Sequence, residues 1–186
     1  MIIVDIPTVE ERGGRDWYET IPLSIIITQS AIITVCMRDT VRCCTRSSEG
    51  TIRGFNTYMK TRFILQILYR NATMYLRYLR IIDRESDKLE LKLRHSMQNR
   101  EILMLLELSK TLVYFTTSLK SNEIVMEKLT TLARIQQYPD DEDLLDDVII
   151  ENKQAIEMAN IYSGVLANMT DAFASIVSNN LNNVMR

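Results

Sequence analysis

Two regimes of hydrophobic patterning divide the chain. Up to about residue 40 the apolar residues come in short runs rich in Ile, Val and Thr. Ile2 to Ile6, Tyr18 to Thr28 and Ala31 to Met37 read as strands, as β-branched residues favour. Glu10 to Asp16, with Gly13-Gly14, reads as a polar turn, and Gln29-Ser30 as the turn between the last two runs. Runs so nearly continuous in apolar residues predict a sheet covered on both faces. The first strand starts at the first residues, with no lead-in, so the sequence reads as a domain entered partway. It also ends at Asn182-Asn183-Val184-Met185-Arg186 with no helix-stopping Gly or Pro.

From about Asn56 onward the pattern predicts helix alone. No Pro lies between Pro22 and Pro139, and no Gly between Gly54 and Gly164. A first helix is predicted from Asn56 to His95, with Phe63, Ile67, Met74, Tyr78, Ile81, Leu89 and Leu93 as its apolar stripe. Ser96 to Asn99 reads as a turn. A second helix is predicted from Arg100 to Ala133, its stripe being Leu103, Leu106, Tyr114, Leu119, Ile124 and Leu129, and Gln136 to Pro139 breaks it. The third runs from Asp141 to the end, roughly 65–70 Å at 1.5 Å per residue. A helix of that length projects as a stalk or packs along partner helices. The expected class is α+β: a partial sheet of about three strands (1–55), a long antiparallel helical pair (56–140) and a stalk helix (141–186).

Composition narrows the function. The chain has 186 residues, 46% of them hydrophobic and 25% charged, enough for a packed core and too apolar for disorder. A net charge of -2 argues against a nucleic-acid-binding protein. Cys36, Cys43 and Cys44 form no disulfide framework and read as reduced thiols. With His95 the only histidine, sites needing two are excluded. The most apolar region, Ile21 to Met37, is interrupted by Pro22, Ser24, Thr28, Gln29, Ser30 and Thr34, so no uninterrupted run of about 18 apolar residues predicts a membrane span. No secretory signal is read at the N-terminus. Arg38, Arg42, Arg46 and Arg53 could contact phosphate, but a solvated loop is the simpler reading. Tyr69, Arg70, Tyr75, Arg77, Tyr78, Arg80 and Arg84 on the first helix could stack on bases. Arginine stems packing beside Asp83, Glu85 and Asp87 explain them better. The sequons at Asn71 and Asn168 fall within helices and are discounted.

The third helix carries two constellations. Asp140, Asp141, Glu142, Asp143, Asp146, Asp147 and Glu151 place seven carboxylates within twelve residues, with no Lys or Arg among them. Acids at a helix N-terminus favour the dipole and cap free N–H groups, which accounts for the first four. Asp146, Asp147 and Glu151 lie too far along for that. Asp147 and Glu151 are four apart on one face, where like charges repel unless a cation intervenes. Hard oxygen ligands of this kind suit Mg²⁺. The second constellation is a polar seam of Asn168, Asp171, Ser175, Ser178, Asn182 and Met185, spaced three and four apart. Beside it runs an apolar edge of Tyr162, Leu166, Met169, Phe173, Ile176, Leu181 and Val184. In a ring of parallel helices the polar edges would line a central aqueous path; a solvated outer face is the alternative.

At these residues the sequence resembles CorA-type magnesium transport proteins. Ala174 to Arg186 is similar to the segment leading into their first membrane helix. The resemblance extends through Ile156 to Tyr162, Phe63 to Asn71, Lys110 to Phe115 and the strand region Ile21 to Thr28. It implies a cytosolic α/β part, long helices, and a stalk helix continuous with a pore. It also implies a homopentamer at the cytoplasmic side of the cell membrane, transporting Mg²⁺, with Co²⁺, Ni²⁺ or Zn²⁺ as other candidate ions. By position, Asp147 matches the stalk acid of an intersubunit Mg²⁺ regulatory site, and Asp143, Asp146 and Glu151 extend that metal set. Asp171 matches an acid ring in the stalk; Ser175 and Ser178 share its seam; Asn182 and Met185 match pore-lining positions, Met185 in the hydrophobic gate. Three features depart from the family. The Gly-Met-Asn motif and both membrane helices are absent, as is the N-terminal part that would supply Asp147's carboxylate partner, and Val41 to Glu49 is Arg- and Cys-rich. The expected function is the regulatory portion of a divalent-cation channel, a weak oligomer by itself, touching membrane only through helices beyond Arg186. A helical scaffold using no metal is the alternative. An enzyme is not expected, because no nucleophile–base pair or phosphate loop is present.

Overall fold

The structure, a computed structural model, describes residues 1–38, 59–95, 99–132 and 138–184; for 99 and 177–184 only the backbone is described. Three antiparallel strands are followed by three helices, the expected α+β arrangement. The strands are β1 (Ile2–Arg12), β2 (Arg15–Ile27) and β3 (Ile32–Cys36), in sheet order β1-β2-β3. The helices are α1 (Lys60–His95), α2 (Asn99–Thr130) and α3 (Pro139–Val184). The Arg- and Cys-rich stretch with Cys43 and Cys44 lies outside the described residues.

β1 and β2 form one hairpin, paired from Ile2↔Ile25 to Arg12↔Arg15. Only Gly13 and Gly14 make its turn, at φ 60° and 77°, the left-handed pair that a two-residue turn matching strand twist requires. Glu10 to Asp16, expected to be a turn, is therefore mostly paired strand. Charge supports this polar tip: Arg12 donates to Glu10 of its own strand at 2.7 Å and across to Glu19 of β2 at 2.7 Å, and its guanidinium lies 5.4 Å from the Trp17 ring centroid. These partners hold Glu10 below the usual carboxylate range, the hydrogen bond from Arg12 being the main cause. The Gln29-Ser30 turn is as expected, closed by Thr28 N–H donating to the Ala31 carbonyl at 2.9 Å.

One face of the sheet is buried. Val4, Ile6, Ile21, Leu23 and Ile25 pack with Ile64, Leu65 and Leu68 of α1, Met126 and Leu129 of α2, and Leu145 and Val148 of α3. The opposite face carries Ile3, Ile33 and Val35, which are 47%, 48% and 53% exposed. Among the described residues the sheet is thus covered on one side, and the two-sided cover expected from the apolar runs is absent. A second core joins Tyr18, Tyr75, Leu79, Ile82, Leu112 and Phe115 to Ala155, Ala159, Leu166 and Phe173 of α3. Tyr75 meets Phe115 edge-on at 5.1 Å. With Tyr75 fully buried, the tyrosines of α1 serve packing.

α1 buries a wider band than its expected stripe, from Ile64 through Asn71, Tyr75 and Ser86 to Leu93, because it contacts both the other helices and β1. The expected stripe on α2 is largely wrong. Leu103, Leu106, Tyr114 and Ile124 are exposed, while Leu105, Leu112, Phe115, Leu119 and Met126 are buried. α2 is also long and apolar enough by composition to cross a membrane, over Arg100–Thr130. It holds no uninterrupted apolar run of that length, because scattered polar residues break the pattern without lowering its average. Its buried residues place it as a packing helix between sheet and α3.

Polar side chains seal the outer edge of β1. Asn122 on α2 accepts from the Asp5 N–H and donates to the Asp5 carbonyl, both at 2.8 Å, as a neighbouring strand would. Asn71 and Tyr75 of α1 donate to the same carbonyl at 2.9 and 3.2 Å. Asp5 pairs across the hairpin with Pro22, which has no N–H, so its polar groups face outward and need these partners. Buried Asn71 is consequently no glycan acceptor.

Candidate functional site

α3 positions both constellations. Pro139 supplies its first residue, where a missing N–H costs nothing, and the Tyr138 carbonyl accepts from Asp141 N–H at 3.0 Å. Asp140, Asp141 and Glu142 occupy the first turn, where the helix dipole favours them. The acidic run divides by depth. Asp141 is 2% exposed and meets Arg62 Nε of α1 at 3.2 Å; Asp140, 80% exposed, meets the same guanidinium at 3.2 Å. Arg62 thus answers two acids that have no cation near them in sequence.

Asp143, Asp146 and Asp147 are exposed, and Glu151 is half-buried. The helical period decides this: Leu145, Val148, Asn152 and Ala155 take the inward face, and Asn152 donates to the Leu119 carbonyl of α2 at 3.1 Å. The three aspartates therefore face away from this chain's core. Among the described residues no group of three or more acidic, His or Cys side chains lies close enough to hold a metal ion.

Further along α3, Asn168, Asp171 and Ser175 are exposed, while Leu166 and Phe173 are buried, the division expected between polar seam and apolar edge. Ile176, expected on the apolar edge, is 43% exposed. Ser175 Oγ donates to the Asp171 carbonyl at 3.0 Å, leaving the Asp171 carboxylate outward. Ser178 and Asn182 lie on described backbone, and Met185 lies outside the described residues. The Tyr162 phenol lies beside the Asp83 carboxyl of α1. Burial, then repulsion from Asp87, raises the Asp83 carboxyl; burial, then the Asp83 charge, raises the Tyr162 phenol. Sequence reading missed Arg62, Asn152 and Asp83 as partners of α3. No local pattern marks them, because each contact spans distant segments.

The site thus sits on a small sheet covered on one face by helices, the last of which extends 46 residues with acids at its base and a polar edge above. The family model for CorA-like Mg²⁺ transporter proteins matches residues 2–186, and the chain belongs to that family. The cobalt/magnesium transport protein CorA of Methanocaldococcus jannaschii is 29% identical over 123 residues, 66% of this chain and 39% of that protein. The soluble domain of the same organism's CorA superposes with a TM-score of 0.77 at 26% identity, covering 91% of this chain and 67% of that one. Its complete CorA magnesium transporter gives 0.76 at 21% identity, over 98% of this chain and 58% of that one. The cytoplasmic domain of ZntB from Vibrio parahaemolyticus shares the fold, with a TM-score of 0.72 at 12% identity. The chain therefore spans well under two thirds of the complete relatives it matches.

Proposed function

We propose that the chain is the cytosolic regulatory portion of a CorA-like divalent-cation channel that works as a homopentamer at the membrane. Its parts are the sheet region (1–55), the helical pair (56–140) and the stalk (141–186). Asp143, Asp146, Asp147 and Glu151 sense Mg²⁺ between subunits, and Asp171, Ser175, Ser178, Asn182 and Met185 line the ion path. The observation that carries the sensor is the outward set Asp143, Asp146 and Asp147. These carboxylates have no ion-pair partner among the described residues and, within one chain, do not complete a metal site. A partner subunit is the natural source of further oxygens. Carboxylates that hold Mg²⁺ with most of its waters need only one or two protein ligands per side.

The mechanism is electrostatic. Without Mg²⁺ the aspartates repel acids across a subunit boundary and loosen the ring. With Mg²⁺ bound between them the repulsion is cancelled and the ring stays closed. Transport of Mg²⁺ is the working assignment, with Co²⁺, Ni²⁺ and Zn²⁺ as competitors to be assayed.

MgCl₂ and NaCl compared at matched ionic strength test the sensor by thermal unfolding and limited proteolysis. A site of about 1 mM affinity adds about 1.4 kcal/mol at 10 mM Mg²⁺. Protection by MgCl₂ alone is expected. Equal protection by both salts would leave the helical scaffold as the better reading.

A further inference from the structure

A cavity of about 340 Å³ opens between the hairpin tip and the facing ends of α1 and α2, far from the acidic base of α3. Its apolar walls are Trp17, Ile81, Leu89, Met104 and Leu108, with the Tyr18 ring closing one side. Tyr18 is buried, and its ring lies 5.5 Å from that of Tyr78. The polar lining has one sign in excess: Glu11, Asp16, Glu85 and Glu107 against Arg15. Lys88 meets Glu85 at 2.7 Å from its own helix. Among the described residues no cation lies in ion-pair contact with Glu11, Asp16 or Glu107.

We infer that this cavity binds an organic ammonium cation with an apolar body. The size lies at the lower end of small-molecule sites, about 300–1,000 Å³. Low-dielectric walls beneath a negative rim focus the field and concentrate cations. Trp17 lines the cavity, and an indole attracts alkylammonium groups as it does the Arg12 guanidinium, 5.4 Å from the ring centroid. A bare divalent ion is the poorer fit, because the acids are spread around the lining and no three come close enough to ligate one. A bulkier cation can approach two of them while its hydrocarbon part rests on Leu89, Met104 and Leu108. The Tyr18 phenol is pushed up to about 12, burial first and the Asp16 and Glu85 charges next, so it stays neutral and the negative charge of the lining comes from the carboxylates alone.

Trp17 is the only tryptophan of the chain, so its fluorescence reports on this cavity directly. The probes are 2-phenylethylammonium, neutral 2-phenylethanol and 3-phenylpropionate, titrated into the full chain at fixed ionic strength. A saturable change with the ammonium probe is expected, with the alcohol and the acid each at least about tenfold weaker, about 1.4 kcal/mol. The double substitution Glu85→Gln with Glu107→Gln should weaken the ammonium probe about tenfold and leave the alcohol unchanged. MgCl₂ in place of NaCl at equal ionic strength should not displace it. Equal binding of all three probes would overturn the proposal, as would the absence of a saturable change. Displacement by Mg²⁺ alone would assign the cavity to a metal instead. The probe comparison on the unsubstituted chain decides the matter even if the double variant fails to fold.

Discussion

At the scale of single residues, the side chains that seal β1 are the clearest targets. Asn122→Ala removes the amide that satisfies both backbone groups of Asp5, leaving a buried N–H without a partner. The expected loss is about 2–3 kcal/mol in urea unfolding, the cost of an orphaned donor plus the bonds themselves. Asn71→Ala should cost less, because the Asp5 carbonyl keeps Asn122 and Tyr75. Equal losses would mean the Asn122 amide is not mimicking a strand. Asp83 offers a pH test. Its carboxyl is raised in the folded chain, burial being the first cause, so the folded state binds a proton more readily than the unfolded. Stability from this group is therefore present at pH below the raised value and declines as pH rises from the ordinary 3.8 through it. Asp83→Asn should flatten this decline and raise Tm slightly at pH 7 relative to pH 4, as differential scanning calorimetry would show. An unchanged pH profile would remove Asp83 as its source. None of these residues was legible in the sequence. An Asn within a helix gives no sign that it faces a strand edge more than a hundred residues away, and a burial-shifted acid looks like any solvated one.

At the scale of elements, legibility followed the sharpness of the pattern. The three helices appear near their expected positions because α1 and α2 contain no Gly or Pro, Pro139 marks the start of α3, and the breaks are polar. The strand positions of β2 and β3 were also readable. The polar tip of the hairpin was not, since cross-strand ion pairs rather than hydrophobicity hold it. α2 hid its buried face because apolar residues surround it on all sides. Leu103 and Leu106 look as good as Leu105 in sequence, and only contact with the sheet and α3 separates them. The seam of α3 was legible as far as Ser175 because polar and apolar edges differ there. Its acidic base was divided in sequence by distance from the helix start, after the fourth acid, whereas the structure divides it by depth, with Asp140 and Asp141 answered by Arg62. That division predicts unequal effects. Arg62→Leu strands Asp141, which is 2% exposed, and should cost about 2–4 kcal/mol, less than for a fully buried pair because Arg62 itself is 27% exposed. Asp140→Asn alters an 80% exposed partner and should change stability by less than about 0.5 kcal/mol. Similar losses in chemical denaturation would place the contribution in general charge balance instead.

At the scale of the whole molecule, the different roles proposed for Asp147 and Asp171 rest on the separation between the base of α3 and its polar seam. Both are exposed, but on different turns of one helix, with Ala155, Ala159 and Leu166 packed between them. In an intact channel Asp147→Asn removes one charge per subunit from the proposed interface. That lowers Mg²⁺ affinity, and it also lowers the repulsion that opens the ring. Closing should then require roughly tenfold more internal Mg²⁺, about 1.4 kcal/mol, and depend on it less steeply. The chain alone should self-associate weakly in chelator, since the same acids repel, and light scattering should show the average mass rising with Mg²⁺. A tight pentamer in chelator would show that helix packing outweighs this repulsion. Asp171 shares its edge with Ser175, whose hydroxyl is held to the Asp171 backbone and leaves the carboxylate free. A ring of such carboxylates concentrates cations at the mouth of a path without bearing on its closure. Asp171→Asn should therefore cut flux or cation preference several-fold while leaving the Mg²⁺ dependence of closing where it was. Transport assays of both variants across a range of internal Mg²⁺ separate the two quantities. If Asp171→Asn shifts the closing midpoint as far as Asp147→Asn does, the base and the seam of α3 act as one device and the division between sensor and path fails.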